Sequence, residues 1–219
     1  MGIKKATYKD QVINHIYKEI LKGRIKPGQQ IKEAKLSEEL DISRAPIREA
    51  LKELISMGIL EYKPRIGTFV LDPTSEDIRD TYVARGVLEG YAAASACGDF
   101  TCKDIDNLYR MCAQMGKLAE SGKNIKLIDL GDRFHSRLTQ KCKNTQIIRF
   151  AHTLSLKSHL MFHMFWTKLY SANEIEERHR IIVDAVKEKK ANRIEQIIRE
   201  HYAQTGAKIA QLKTQMGVN

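Results

Sequence analysis

The chain has 219 residues, 42% apolar and 29% charged, a globular balance that excludes pervasive disorder and allows one large domain or two small ones. Its net charge of +10, from 37 Lys and Arg against 27 Asp and Glu, fits nucleic acid as a partner, but the excess is shared along the chain and a solvated basic surface has the same composition. No apolar run approaches the ~20 residues that span a bilayer, and the opening Met1 to Ala6 has no apolar signal core, so the expectation is a cytoplasmic protein with no membrane partner.

In chain order, residues 8–22 predict an amphipathic helix with Val12, Ile16, Ile20 and Leu21 on one side, stopped by Gly23 and Pro27-Gly28. A short helix over about 33–40 carries Leu36 and Leu40, and Asp41-Ile42 makes the next turn. Ser43 is the expected cap of a third helix whose first turn holds Pro46, where the missing N–H costs nothing. That helix buries Ile47, Ala50, Leu51, Leu54 and Ile55, and beside this stripe Arg44, Arg48 and Lys52 recur every four residues. Arginine at the leading end of such a helix can grip a guanine edge or a phosphate. On an isolated helix the same stripe reads as a solvated face, and the context decides between the two. Gly58 ends the helix, 59–62 and 68–71 read as short strands, and Lys63-Pro64-Arg65-Ile66-Gly67 joins them as a basic turn. Helix, turn, helix and basic-tipped hairpin make the winged form of a DNA-reading unit, with its tip, Arg65 to Gly67, against the backbone or the minor groove.

The stretch SRAPIREALKELISMGILEYKPRIGTFV (Ser43 to Val70), preceded by ILKGRIKPGQQIKEAKLSEELDI (Ile20 to Ile42), resembles the signature of the GntR family of bacterial repressors and activators. The resemblance implies that Arg44 and Arg48 contact DNA, that Gly67 lies at the wing tip, and that Ser43 caps its helix or reaches a phosphate. Ser43, Arg44, Arg48, Lys52, Lys63, Arg65 and Gly67 are therefore the candidate DNA-binding residues, and an operator in double-stranded DNA is the expected partner. One winged module reads only a few base pairs, so a homodimer on a near-palindromic site is expected.

Asp72-Pro73-Thr74-Ser75 marks a boundary, because Pro73 cannot continue a strand ladder and Ser75 is a good N-cap. Beyond it the pattern is helical, broken near Gly98, Gly122, Asn144, Ser171 and Lys190. The expected fold is mainly α: a winged helix-turn-helix over 1–71, a linker over 72–75, and an all-α bundle of about six helices over 76–219.

In that second half His135, His179 and His201 fall in or beside apolar stripes of three different helices. One inward histidine is usually a hydrogen-bonded core residue, whereas three that converge make a metal site. The four cysteines, Cys97, Cys102, Cys112 and Cys142, form no C-x-x-C pair and read as reduced thiols. The stretches DTYVARGVLEGYAAASA (Asp80 to Ala96), DRFHSRLTQKCKN (Asp132 to Asn144) and RHRIIVDAVKEKKANRIEQIIREHY (Arg178 to Tyr202) resemble the all-helical effector domain of the FadR-like subgroup. That resemblance implies a divalent metal, zinc or nickel, on one Asp and three His. The histidines match, but the carboxylate slot four residues before His135 holds Gly131, and Asp132 stands one residue off. Three outcomes stay open: a three-His site completed by water or effector, a site with Asp132 swung in, or no metal.

His159 and His163, one helical turn apart, read either as further pocket or metal residues or as two ordinary histidines. Arg85 is either paired with Glu89 one turn on or grips an acidic effector, a small carboxylate by the resemblance. Such an anion could also take the place of the missing carboxylate at Gly131. The reading is an effector-modulated transcription regulator and not an enzyme. Its rivals are a constitutive DNA-binding dimer and a metal-dependent enzyme with a DNA-binding module; against the latter, H-E-x-x-H, G-x-S-x-G and phosphate-cradling glycine loops are all missing.

Overall fold

The structure, a computed structural model, describes residues 6–165 and 169–215. It divides into two compact units, Met1–Pro73 and Thr74–Asn219.

In the first unit α1 (Tyr8–Leu21) starts from a capping box in which Thr7 and Asp10 satisfy each other's backbone N–H, and it buries Val12, Ile16 and Ile20. Helix α2 (Glu33–Leu40) ends on Asp41, whose left-handed φ of 51° makes the turn into α3 (Arg44–Ser56). Helix α3 buries Ile47, Ala50, Leu51 and Leu54 against α1 and α2, while Ile55 is half-buried. Ser43 occupies the N-cap position, but its side chain makes no capping hydrogen bond, a departure from the expected cap. Strands β2 (Leu60–Lys63) and β3 (Gly67–Val70) form the expected hairpin.

The sequence reading missed a third strand, β1 (Gln30–Ile31), which pairs antiparallel with β3 and puts β3 in the middle of the sheet. It has a specific job. Gln30 Nε2 donates to the Ile66 carbonyl at 2.8 Å and so pins the wing turn. Gly67 has φ +133°, which favours glycine, and a Cβ there would lie 2.7 Å from that nitrogen and so displace the Gln30 amide that pins the turn. Gly67 opens β3 opposite Lys63; the tip itself is Pro64 to Ile66, with Arg65 in the left-handed region at φ 63°.

The second unit contains six α-helices among its described residues: α4 (Ser75–Ser95), α5 (Cys102–Glu120), α6 (Asn124–Thr139), α7 (Thr145–Phe165), α8 (Ala172–Lys187) and α9 (Ala191–Gln215). Capping boxes start α4 (Thr74 with Asp77), α5 (Thr101 with Asp104) and α8 (Ser171 with Glu174). The cap of α4 is thus Thr74 rather than Ser75; the Ser75 hydroxyl bonds instead to the Ala210 carbonyl, 3.1 Å away.

Helix α4 is central, packed on α9 and α7. Glycines let α4 and α9 approach closely: a Cβ on Gly206 would sit 2.6 Å from Tyr82 Cβ, and one on Gly86 would sit 3.2 Å from Arg199 Cα. This contact fixes the positions of Tyr82, Arg85, Glu89 and Tyr202, around which the cavity is built.

Candidate functional site

Two surfaces carry chemistry. The first is on the N-terminal unit, where Arg44, Arg48 and Lys52 all lie exposed on α3, with Ser43 exposed at its start. Arg48 Nε is paired with Glu33 Oε2 of α2 at 2.8 Å, and at the wing Lys63 is paired with Glu61 at 2.7 Å and lies over the Phe69 ring. Exposed pairs of this kind are weak, so they orient these cations without preventing exchange of the carboxylate for a phosphate. Arg65 is exposed at the wing tip.

The second is a cavity in the helical unit, with an empty volume of about 670 Å³ that includes its open mouth. His135 (α6), His179 (α8) and His201 (α9) converge there, each with one ligand-capable atom within 4.8 Å of the others. His179 Nδ1 donates to the Ile175 carbonyl at 2.6 Å, which fixes its tautomer and leaves Nε2 as the lone-pair nitrogen. His135 Nδ1 and His201 Nδ1 are buried with no hydrogen-bond partner among the described residues. Three imidazoles that can each turn a ring nitrogen to a common point are a donor set that fits a divalent first-row ion. Burial pushes all three rings toward the neutral form. His179 falls to about 4, and His135 and His201 lie well below the ordinary value, pushed further by the other imidazoles and by cavity arginines. Neutral imidazole is the ligating form.

Asp132 does not join the triad. Its Oδ1 accepts from Ser155 Oγ at 2.8 Å and lies 3.2 Å from His159 Nε2 and 3.5 Å from Arg85, so α7 and α4 hold it away from the three histidines. Gly131 lines the cavity, and a Cβ there would meet only Met115 Sδ at 4.0 Å, so a side chain has room.

Arg85 is buried and paired internally: Nε to Glu89 at 2.6 Å, NH1 to Ser158 Oγ at 2.7 Å, and its guanidinium over the Tyr202 ring. Burial opposes its charge, but Glu89 above all outweighs burial and holds its pKa above the ordinary value. His159 lines the cavity, whereas His163 does not; its Nε2 is buried without a partner among the described residues, and burial lowers its pKa. The sequence reading missed the cavity residue Arg178, whose place next to His179 was the available signal.

These two surfaces define a DNA-binding transcription regulator with a winged helix-turn-helix and a helical effector-binding domain. The comparisons agree. The model of the bacterial regulatory proteins of the gntR family matches residues 8–70, and that of the FCD domain matches residues 80–204. The chain belongs to the GntR family, in its FCD-containing branch. The probable D-xylose utilization operon transcriptional repressor of Paenarthrobacter nicotinovorans is 26% identical over 199 residues, covering 91% of this chain and 87% of the relative. Among solved structures, McbR/YncC of E. coli superposes with a TM-score of 0.77 at 22% identity, covering 97% of this chain and all of that one. A GntR regulator from Rhodococcus sp. RHA1 gives 0.75 at 20%, covering 96% and 98%. At these identities the structures establish the fold alone.

The depressed histidines set a pH signature for the metal-free protein. An unfolded imidazole takes a proton below about 6.5, whereas folded His179 waits until about 4. Between these values the unfolded state binds more protons, so stability falls as pH falls, by up to about 1.4 kcal/mol per pH unit for each such histidine. Urea unfolding of metal-free protein at pH 7, 6 and 5 should show this loss, with a shallower slope in His179→Gln. Equal slopes in the two proteins would contradict the assigned burial.

Proposed function

We propose that the protein acts in the cytoplasm as a homodimeric repressor or activator, and not as an enzyme, whose operator affinity is set by an acidic small molecule in the histidine cavity, with a divalent ion held by His135, His179 and His201. The observation that carries this is the cavity itself: three neutral imidazoles, two of them with an unpartnered buried nitrogen, converge beside arginine side chains. When bound, zinc or nickel supplies a Lewis-acidic anchor for a carboxylate. The protein's own groups orient it: the Ile175 carbonyl fixes His179, and the Asp132 and Glu89 carboxylates stand behind His159 and Arg85. The alternative of a metal-dependent enzyme gains nothing here, because Asp132, the carboxylate three residues before His135, is already taken by Ser155, His159 and Arg85.

DNA reading is assigned to α3 and the wing. Arg44→Ala should weaken binding to a site selected from random DNA by about 1–3 kcal/mol and leave a scrambled duplex less affected. Lys63→Ala should weaken both alike and reduce the salt slope by about one. Unchanged affinity of Arg44→Ala on both duplexes would remove α3 as the recognition helix.

The triad carries no protein charge, and Gly131 supplies none. Wild-type protein purified without a nickel column should therefore retain metal weakly, and more tightly in the presence of small organic acids. Gly131→Asp should retain it without acid, and His179→Ala should lose it while DNA binding persists. Mass-spectrometric metal content reads all three; stoichiometric metal in His179→Ala would end the three-histidine assignment.

Homodimerisation is assigned to α4, whose Val83, Val87 and Tyr91 stand 51%, 38% and 46% exposed on one apolar face. A two-fold axis across that face pairs it with itself. Light scattering should give the mass of two chains for the wild type and of one for Val87→Arg. A dimeric Val87→Arg would place the interface elsewhere.

A further inference from the structure

The cavity contains two arginines in opposite electrostatic states. Arg85 faces two carboxylates, Glu89 at 2.6 Å and Asp132 at 3.5 Å, so its charge is more than matched. Arg178, on α8, faces none at that range. Its NH1 donates to Gln204 Oε1 at 2.7 Å, and its NH2 donates to the His201 carbonyl at 3.0 Å and to Thr205 Oγ1 at 3.2 Å. All three acceptors are neutral, and they use three of the five N–H groups that a guanidinium offers. The plane is held over the Tyr170 ring, 4.2 Å from its centre. A second cation, Lys208, lies 3.9 Å from the centre of the same ring and donates to the Leu169 carbonyl. Glu174 acts on Arg178 only at longer range, since its carboxylate accepts the Ser171 N–H at 2.7 Å as the cap of α8. Both Arg178 and Tyr170 line the cavity.

A rigid, half-buried guanidinium with neutral partners and spare donors is a preorganised anion receptor. We propose that Arg178, backed by Lys208, is an anion subsite separate from the histidine triad, and that the effector is a small acid with two anionic groups, one directed to the triad and one to Arg178. This rests on the acid-effector reading above and adds its specificity. The charge balance points the same way. Arg85, Glu89 and Asp132 together leave one negative charge, and Arg178 and Lys208 add two positive ones, so with a divalent ion on the triad the site would carry a positive excess that a dianion offsets better than a monoanion.

Arg178 also ties α8 to α9, so the test must separate anchoring from recognition. Full-length zinc-loaded protein is titrated calorimetrically with succinate, glutarate and adipate, and with butyrate, valerate and hexanoate as equal-length monoacids. At least one diacid should bind about tenfold or more tightly than its monoacid. Arg178→Gln should erase that preference while monoacid affinity and zinc content stay as in the wild type, and Arg178→Lys should keep part of it. Lys208→Gln, at an exposed position, should weaken the diacid several-fold and so provides a second variant independent of the α8–α9 tie. A diacid preference that survives in Arg178→Gln overturns the subsite, as do monoacids that bind the wild type as well as diacids; either result leaves the acid-effector reading standing. Binding of neither class, with operator affinity unchanged by all six acids, overturns that reading and the subsite with it.

Discussion

Arg85 and Glu89, opposite charges one turn apart on α4, are both about 95% or more buried, and much of the cavity wall is arranged by the need to satisfy them. Burying ions costs several kcal/mol each unless every donor and lone pair finds a partner. Here each neighbouring helix contributes one. Helix α7 gives Ser158 Oγ to Arg85, α6 gives Asp132, and α9 gives the Tyr202 hydroxyl to Glu89 Oε2 at 2.7 Å and its ring to the guanidinium. His135 Nδ1 stands 3.5 Å from the same Glu89 oxygen, too poorly placed to count as a hydrogen bond, so the network stops one atom short of the triad. Truncating one partner in such a network leaves a buried charge uncompensated, so the network holds α6 and α9, which carry His135 and His201, in one register with α4.

The close α4–α9 contact serves the same end. At Gly86, Gly90 and Gly206 no side chain separates the two helices, and the Tyr82 and Tyr202 rings fill the space beside them. A backbone held this closely cannot drift without opening the Arg85–Glu89 site to water.

How much of this was legible in the sequence follows from the range of each signal. Helix α3 and its basic stripe were readable because a 3.6-residue apolar period and a Gly stop lie within 15 residues. The triad was readable because each histidine fell beside a local apolar stripe, and the six-helix count followed from the breaks between stripes. Strand β1 was not, since two residues carry no period and its role depends on Ile66 and Gly67, over 30 positions away. The Thr74 cap was hidden because Thr74 and Ser75 are both good caps and only the position of Asp77 separates them. Asp132 and Arg178 were the hardest. Whether a charged side chain is spent or unspent depends on partners from other helices: Ser155 and His159 for the one, Gln204 and Thr205 for the other.

That distinction bears on what the cavity can sense. Histidines near their ordinary pKa would exchange protons for metal across the physiological range, and the site would report pH. These rings are held well below it by burial, so they are already neutral near pH 7 and release no protons on binding an ion. Acidity is thereby a weak lever on these three rings near pH 7. If the triad holds an ion as proposed, what remains unbalanced is charge: an ion on three neutral ligands, and a guanidinium whose hydrogen-bond partners are all neutral. Only an anion corrects both at once. A ligand shifts a conformational equilibrium by no more than its differential affinity for the two states. On the proposed reading, a site whose charge is uncompensated would give that leverage to anions rather than to neutral molecules of the same shape.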